Sequence, residues 1–224
     1  MGEEASCFVS GRGLPRSLAQ SMGVGLWNSG QYEDCPEDIF ADRHGPTGQN
    51  MNGHISVPLW SPRGVLVGVE WRRWDGEKEV TKYFLSNSKW EPAFLGMTPR
   101  SLSLISQGSD IWLVEGLFDL SLAHVVEGVV LACGGAKMTR NQAEFLKRFV
   151  RSTAMVHVCF DMDETGRNMA EGFFHPETGK KVWGVSERLT FSGVRNRIVY
   201  YKGKDPGEIW EEGGRSLLRD RIKL

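Results

Sequence analysis

Hydrophobic and polar positions change their rhythm twice along this chain. Up to about residue 53, apolar residues are scattered among Gly and polar ones. Gly11-Arg12-Gly13, Gly23-Val24-Gly25 and Arg43-His44-Gly45-Pro46-Thr47-Gly48 read as turns there, with one short helix expected at about 15–22. From His54 the alternation has period two. Residues 54–60, 65–74 and 79–85 read as strands, joined at Ser61-Pro62-Arg63-Gly64 and Asp75-Gly76, which makes an antiparallel sheet. From Asp110 the pattern turns to short apolar runs alternating with helical stretches: strands at 111–115, 129–133, 155–161 and 198–201, and helices at 117–126, at 139–151, from 164 and from 206. Residues 172–184 interrupt the helix that starts at 164 and read as an inserted hairpin. Strand–helix alternation implies parallel strands with helices packed on the sheet. The expected architecture is therefore α/β in two lobes: an α+β lobe with an antiparallel sheet over 1–108, and a lobe over 109–224 with a mostly parallel sheet flanked by helices.

Composition fits that picture and narrows the function. The 224 residues are 40% hydrophobic and 25% charged, ordinary for a globular protein with a real core. No apolar run approaches the ~20 residues needed to span a bilayer, and the N-terminus has no signal-peptide pattern, so a cytoplasmic protein with no membrane partner is expected. The four cysteines form no C-x-x-C pair that would hold zinc. The net charge of −1 gives no bulk support for nucleic-acid binding. Charge is nevertheless uneven: residues 1–59 sum to −4, 60–108 to +2 and 109–224 to +1.

Ligands of open α/β sheets bind beyond the carboxyl ends of the strands, and three expected strands here run into acidic residues. Glu115 follows the first, Asp161 and Asp163 follow the third, and Asp205 lies after the last, in Gly203-Lys204-Asp205-Pro206. Asp119 stands one helical turn beyond Glu115. Taken singly, each could equally cap the next helix. Taken together, five carboxylates at one sheet edge repel one another, and an arrangement of hard oxygen donors without His or Cys suits Mg²⁺ or Mn²⁺.

The same residues carry a family resemblance. Val114-Glu115-Gly116-Leu117-Phe118-Asp119 resembles the E-G-x-x-D motif of TOPRIM domains. Phe160-Asp161-Met162-Asp163-Glu164-Thr165-Gly166-Arg167 resembles the F-D-x-D-x-x-G-R motif of DnaG-type primases, and Gly203-Lys204-Asp205-Pro206 their G-K-D-P-D-E motif. Upstream, Arg12-Gly13-Leu14, the stretch from Pro58 to Gly68, and Lys82-Tyr83 with Ser86 resemble further primase motifs, so the likeness runs from about residue 8 to 214. The form Phe160-Asp161-Met162-Asp163 is also similar to the primase half of phage helicase-primases, which implies a phage or mobile-element origin. Three positions depart from the pattern: the family's second acid of G-K-D-P-D-E falls on Gly207, followed by Glu208; the Asn of K-Y-x-N-S falls on Leu85; and the lysine expected near residue 90 is replaced by Trp90, with Lys89 adjacent.

The resemblance implies a primase catalytic core, a nucleotidyltransferase that makes short primers on single-stranded DNA from nucleoside triphosphates. It implies Glu115, Asp161 and Asp163 as catalytic residues, with Glu115 the general base. Those three with Asp119 and Asp205 would be the metal-site carboxylates, and Arg72, Lys82 and Tyr83 part of a basic face. Neither a zinc ribbon nor a helicase nucleotide loop is visible in these residues, so a separate zinc-binding module or replicative helicase is an expected partner. The residues themselves add three candidates. Lys137 closes Gly134-Gly135-Ala136, a turn that could receive a phosphate or be only a turn, while Arg167 and Lys204 stand beside the acids and would neutralise triphosphate or pair with the carboxylates. Trp71-Arg72-Arg73-Trp74 interleaves stacking and phosphate-binding side chains on a strand. Two other functions fit the same motifs: a metal-dependent nuclease on the same fold, and a primase remnant that binds nucleic acid without turnover.

Overall fold

The computed structural model describes residues 9–26, 54–73, 80–84 and 92–222. Trp74, Leu85, Ser86, Lys89 and Trp90 lie outside them, as does the Asp75-Gly76 turn. Helix α1 (Arg16–Met22) ends at Gly23, whose φ of 77° is the left-handed conformation that closes helices. An antiparallel sheet follows in the order β1-β2-β3-β4: β1 (Gly25–Leu26), β2 (Ile55–Trp60), β3 (Leu66–Arg72) and β4 (Val80–Phe84). The expected period-two strands are thus present, each within two residues of its expected limits. The register pairs Ile55 with Arg72 and Val57 with Glu70, so these four share one face, and Trp71 with Val69 points to the other. A register shift between Leu59 and Trp60 bends the end of β2.

The second sheet is parallel throughout, in the order β10-β7-β5-β6: β5 (Ile111–Val114), β6 (Val129–Ala132), β7 (Val156–Val158) and β10 (Asn196–Ile198). Successive residues of a strand point to opposite faces, and here both faces are covered. Trp112 and Val114 join one apolar cluster with Ile55, Val57 and Leu120, whereas Ile111 and Leu113 join another with Phe145, Val156 and Leu189. This explains why these strands read as unbroken apolar runs rather than alternations. The first cluster lies between the two sheets and the second under the flanking helices.

Those helices are α2 (Pro99–Gln107), α3 (Arg140–Phe149), α4 (Glu164–Glu171) and α5 (Val185–Phe191), while α6 (Pro206–Arg221) sends Ile209 and Leu218 into the first cluster. Side-chain caps start four of these five helices at chemically suitable residues: Thr98, Thr139, Asp163 and Asp205 each accept a backbone N–H from the first turn. The hairpin expected within 172–184 is β8 (Gly172–Phe174) with β9 (Lys181–Trp183).

Three expectations need correction. Residues expected as an α-helix at 117–126 form a 3₁₀ helix, Phe118–His124, because Asp119 turns its carboxylate back onto the Gly116 N–H and tightens the first turn. The last strand starts two residues before its expected limit and ends at Ile198, the chain beyond it turning away to form the loop that carries Asp205. The helix expected from 206 is present as α6 but is broken by non-helical Gly213 and Gly214. Helix α2, inside the span assigned to the first lobe, packs on the parallel sheet: Leu95 bridges Ala132, and Phe94, Met97 and Ile105 fill the second cluster. No helix among the described residues is long and apolar enough to cross a membrane.

Candidate active site

Three loops at the carboxyl ends of β5, β7 and β10 are stitched together by hydrogen bonds that set the acidic residues. Gly134 and Gly135, past the end of β6, donate their N–H groups to the Glu115 carbonyl at 2.9 and 2.8 Å. Glu115 Oε1 accepts the Asp161 N–H at 3.1 Å, joining the β5 and β7 loops. Met162 N–H reaches the Lys204 carbonyl at 2.7 Å, which joins the third loop. Tyr201 Oη lies 3.0 Å from the Phe160 carbonyl and 3.4 Å from that of Lys204, reinforcing the same seam. Asp119 Oδ2 accepts the Gly116 N–H at 2.7 Å and Oδ1 accepts that of Gly207 at 3.3 Å.

The five acids thus come together, in unequal roles. Asp119 is only 7% exposed, and both its oxygens hold backbone. Asp163 and Asp205 are the N-caps of α4 and α6: Asp163 Oδ1 accepts Gly166 N–H at 2.8 Å and Asp205 Oδ1 accepts Glu208 N–H at 2.7 Å. The capping role and the cluster coexist, since each cap engages one of two oxygens. Asp161 Oδ1 is buried and has no hydrogen-bond partner among the described residues.

Like charge and burial leave a signature on titration. Burial is the largest cause pushing the Asp161 carboxyl up to about 8, with Asp119, Glu115, Asp205 and Asp163 adding repulsion. Asp119 is pushed up to about 7, again first by burial and then by Asp205. Glu115 is raised by burial, opposed by its bond from the Asp161 N–H and assisted by Asp163 and Asp205. Such mutual repulsion is what a cation would relieve.

Among the described residues no three His, Cys, Asp or Glu side chains already stand as a metal cage. Mg²⁺ seldom uses one; it keeps several waters and takes one or two carboxylates plus substrate phosphates. The orphaned Asp161 oxygen and the all-oxygen donor set fit that mode. Two glycines keep the cradle open. A Cβ on Gly166 would run into the Asp161 carbonyl and come 2.6 Å from Glu115 Oε1. One on Gly207 would lie 3.2 Å from Phe118 Cβ and 3.3 Å from Asp205 Oδ1, so no acid side chain fits there without movement, and Glu208 beside it is exposed.

The basic candidates divide. Arg72 reaches the site: its Nη2 lies 3.9 Å from where a Gly116 Cβ would be, it ion-pairs with buried Glu70, and its guanidinium is 5.2 Å from the Phe118 ring centre. Arg12 flanks the same ring at 4.5 Å and ion-pairs with Glu211. Lys82 and Tyr83 stand on β4 opposite Glu70 and Val69. Lys204 Nζ is 3.7 Å from Asp205 Oδ2. Arg167 is exposed on α4, and Lys137 is exposed beyond a turn whose Gly134 and Gly135 N–H groups are already engaged by Glu115, so those two cannot receive a phosphate. Residue types alone gave no sign of Tyr201 or Glu70; the only cue for Gly166 was its place in the F-D-x-D-x-x-G-R pattern.

Residues 112–209, which hold the parallel sheet and its acid-bearing loops, match the family described as Toprim-like. The likeness to DNA primase cores extends over nearly the whole chain. A DNA primase of Aquifex aeolicus is 29% identical over 240 residues, covering 98% of this chain and 44% of that protein. The crystal structure of the zinc-binding and RNA polymerase domains of the Aquifex aeolicus primase superposes with a TM-score of 0.67 at 24% identity, over 98% of this chain and 56% of that one. The primase fragment of the bacteriophage T7 primase-helicase gives 0.56 at 16%, over 95% and 72%, in keeping with the expected likeness to phage enzymes. The chain thus spans less than half the length of that curated relative.

Proposed function

We propose that this protein is a primase catalytic core, synthesising short primers on a single-stranded DNA template from nucleoside triphosphates with Mg²⁺ or Mn²⁺. The observation that carries the reading is the three-loop acid cluster with its raised carboxyl pKa values and the orphaned Asp161 oxygen, on a chain similar to primases from end to end. Asp161 and the non-capping oxygens of Asp163 and Asp205 are the groups that would hold divalent cations, Lys204 giving up its ion pair with Asp205 Oδ2. A bound cation would supply charge neutralisation on the transferring phosphate and lower the pKa of the attacking hydroxyl.

The chain's own residues divide the remaining work. Glu115, raised by burial and seated between two loops, is the base that takes the proton of the primer 3′-hydroxyl. Asp119 holds Gly116 and the start of α6 in place, so it positions Asp205 and acts on metal through that arrangement. Arg72, beside Gly116, supplies positive charge toward the triphosphate; Lys82, paired with Glu70 on the neighbouring strand, stands on the same face of the sheet and Tyr83 on the opposite one. Lys204, Arg167 and Lys137 ring the acids at greater exposure. We place the boundary between the lobes near residue 92, since Phe94, Met97 and Ile105 pack with the parallel sheet. A helicase and a zinc-binding module act as partners that load the core on template.

Incubation with nucleoside triphosphates, Mn²⁺ and single-stranded DNA tests this. Wild type should yield dinucleotide and longer products, and Glu115→Gln should lower the rate by about 100-fold or more. Equal activity of the two proteins, or no product from either, would overturn the reading; shortening of DNA without triphosphates would identify a nuclease.

A further inference from the structure

The hairpin β8–β9 is not used by the site described above, and it carries an unusual surface. Phe174 is 69% exposed, Trp183 47% and Phe191, at the end of α5, 82%. These rings form one row. Phe174 is paired with Lys181 in register, and Lys181 Nζ lies 5.3 Å from the centre of its ring. Two residues on, hence on the same face of β9, Trp183 meets Phe191 edge to face at 5.7 Å between centres. Arg188 Nε donates to the Trp183 carbonyl at 3.2 Å, leaving the rest of its guanidinium outward. Glu187 pairs with Lys181 at 2.9 Å and holds it at the row, while adjacent Lys180 makes no ion pair among the described residues.

Aromatic rings exposed to this degree are costly to leave in water unless something covers them. Charge selects the occupant. Residues 164–202 contain seven Lys or Arg and four Asp or Glu, a net of +3, in a chain whose total is −1. Cations interleaved with exposed rings suit a single strand of nucleic acid, whose bases stack on the rings while its phosphates meet the cations. At the row itself Lys181 and Arg188 stand against Glu187, with Lys180 adjacent, so a protein partner would meet excess positive charge there. The platform is also well placed: α4 begins at Asp163 in the acid cluster and ends at Glu171, where the hairpin starts, a helix of eight residues or about 12 Å.

We propose that the β8–β9 hairpin with the end of α5 is a second contact for single-stranded nucleic acid, holding template or product after it leaves the acid-lined cleft. The proposal rests on the nucleic-acid reading above, and the test separates the two. Labelled oligothymidylates of about 6 and about 20 nucleotides would be titrated into the full chain by fluorescence anisotropy; the longer one reaches both contacts and should bind more tightly. Phe174→Ala and Phe191→Ala should each weaken the longer one by about 5- to 100-fold and leave the shorter one unchanged, and Phe174→Tyr and Phe191→Tyr should restore the affinity. Wild-type affinity of both Ala variants for the longer oligonucleotide would overturn the platform while primer synthesis stood. Hairpin-dependent binding by a protein that makes no primer would keep the platform and sink the primase reading. If the Ala variants instead shift sedimentation from dimer to monomer with DNA affinity unaltered, the row is a protein interface and the proposal fails.

Discussion

Asp161 shows how a single residue's surroundings set its chemistry. Its carboxyl ordinarily titrates near 3.8, yet burial and four neighbouring acids push it up to about 8, and Asp119 rises to about 7 for similar reasons. A carboxyl whose folded pKa exceeds its unfolded one keeps its proton longer in the folded state. Its contribution to stability is therefore full below about pH 4 and is lost as pH rises through 7 and 8. In the absence of metal, the thermal midpoint should show a component that declines over that window, and Asp161→Asn should flatten it. Mg²⁺ or Mn²⁺ should raise the midpoint more at pH 8 than at pH 5, because cation and protons compete for the same oxygens; equal shifts at both pH values would argue against the carboxylates as ligands. Gly166→Ala addresses the cradle directly. Its Cβ would press on the Asp161 carbonyl and Glu115, so primer synthesis should fall by about 100-fold while the far-ultraviolet circular dichroism is unchanged.

At the scale of elements, α6 links the acid cluster to the core. Its first turn is capped by Asp205, its second half buries Leu218, and Gly213-Gly214 break it between. Gly214 has φ 60° and ψ −152°, a conformation open to glycine and strained for other residues. Gly214→Ala should cost about 1–3 kcal/mol and lower the thermal midpoint by several degrees in a scanning calorimeter; an unchanged midpoint would show that the helix tolerates straightening. Strands β2, β3, β5 and β6 were legible from apolar spacing because each buries four or more residues, whereas β10 buries none and its expected limits lay two to three residues too late. Helices α2 and α5 were not. Each buries only two residues within the helix, Ser101 with Ile105 and Val185 with Leu189, too few to stand out as a periodic stripe. The Thr98-Pro99 start and Gly108 stop of α2 were the available cue.

Across the whole molecule, the two lobes are joined where the N-terminal turn meets α6. A Cβ on Gly13 would lie 2.5 Å from Trp210 Cγ; His124 stacks on Trp210 at 4.3 Å and its Nε2 lies 3.1 Å from the Gly13 carbonyl. Gly13→Ala should therefore lower the urea midpoint by an amount equivalent to about 1–3 kcal/mol, and Trp210→Ala should lower it by cavity formation. If neither does, the join contributes no stability.

Read alone, the residues were enough for the two-lobed α/β layout and for the identity of the five carboxylates, since both depend on local periodicity and on short motifs at strand ends. What the folded chain added is long-range. Glu115 meets Asp161 across 46 residues and Asp119 meets Gly207 across 88. Only that closure determines which carboxylate oxygens hold backbone, which one is left without a partner, and how far each pKa moves. Burial and mutual charge are properties of neighbours in space, and no spacing along the chain encodes them.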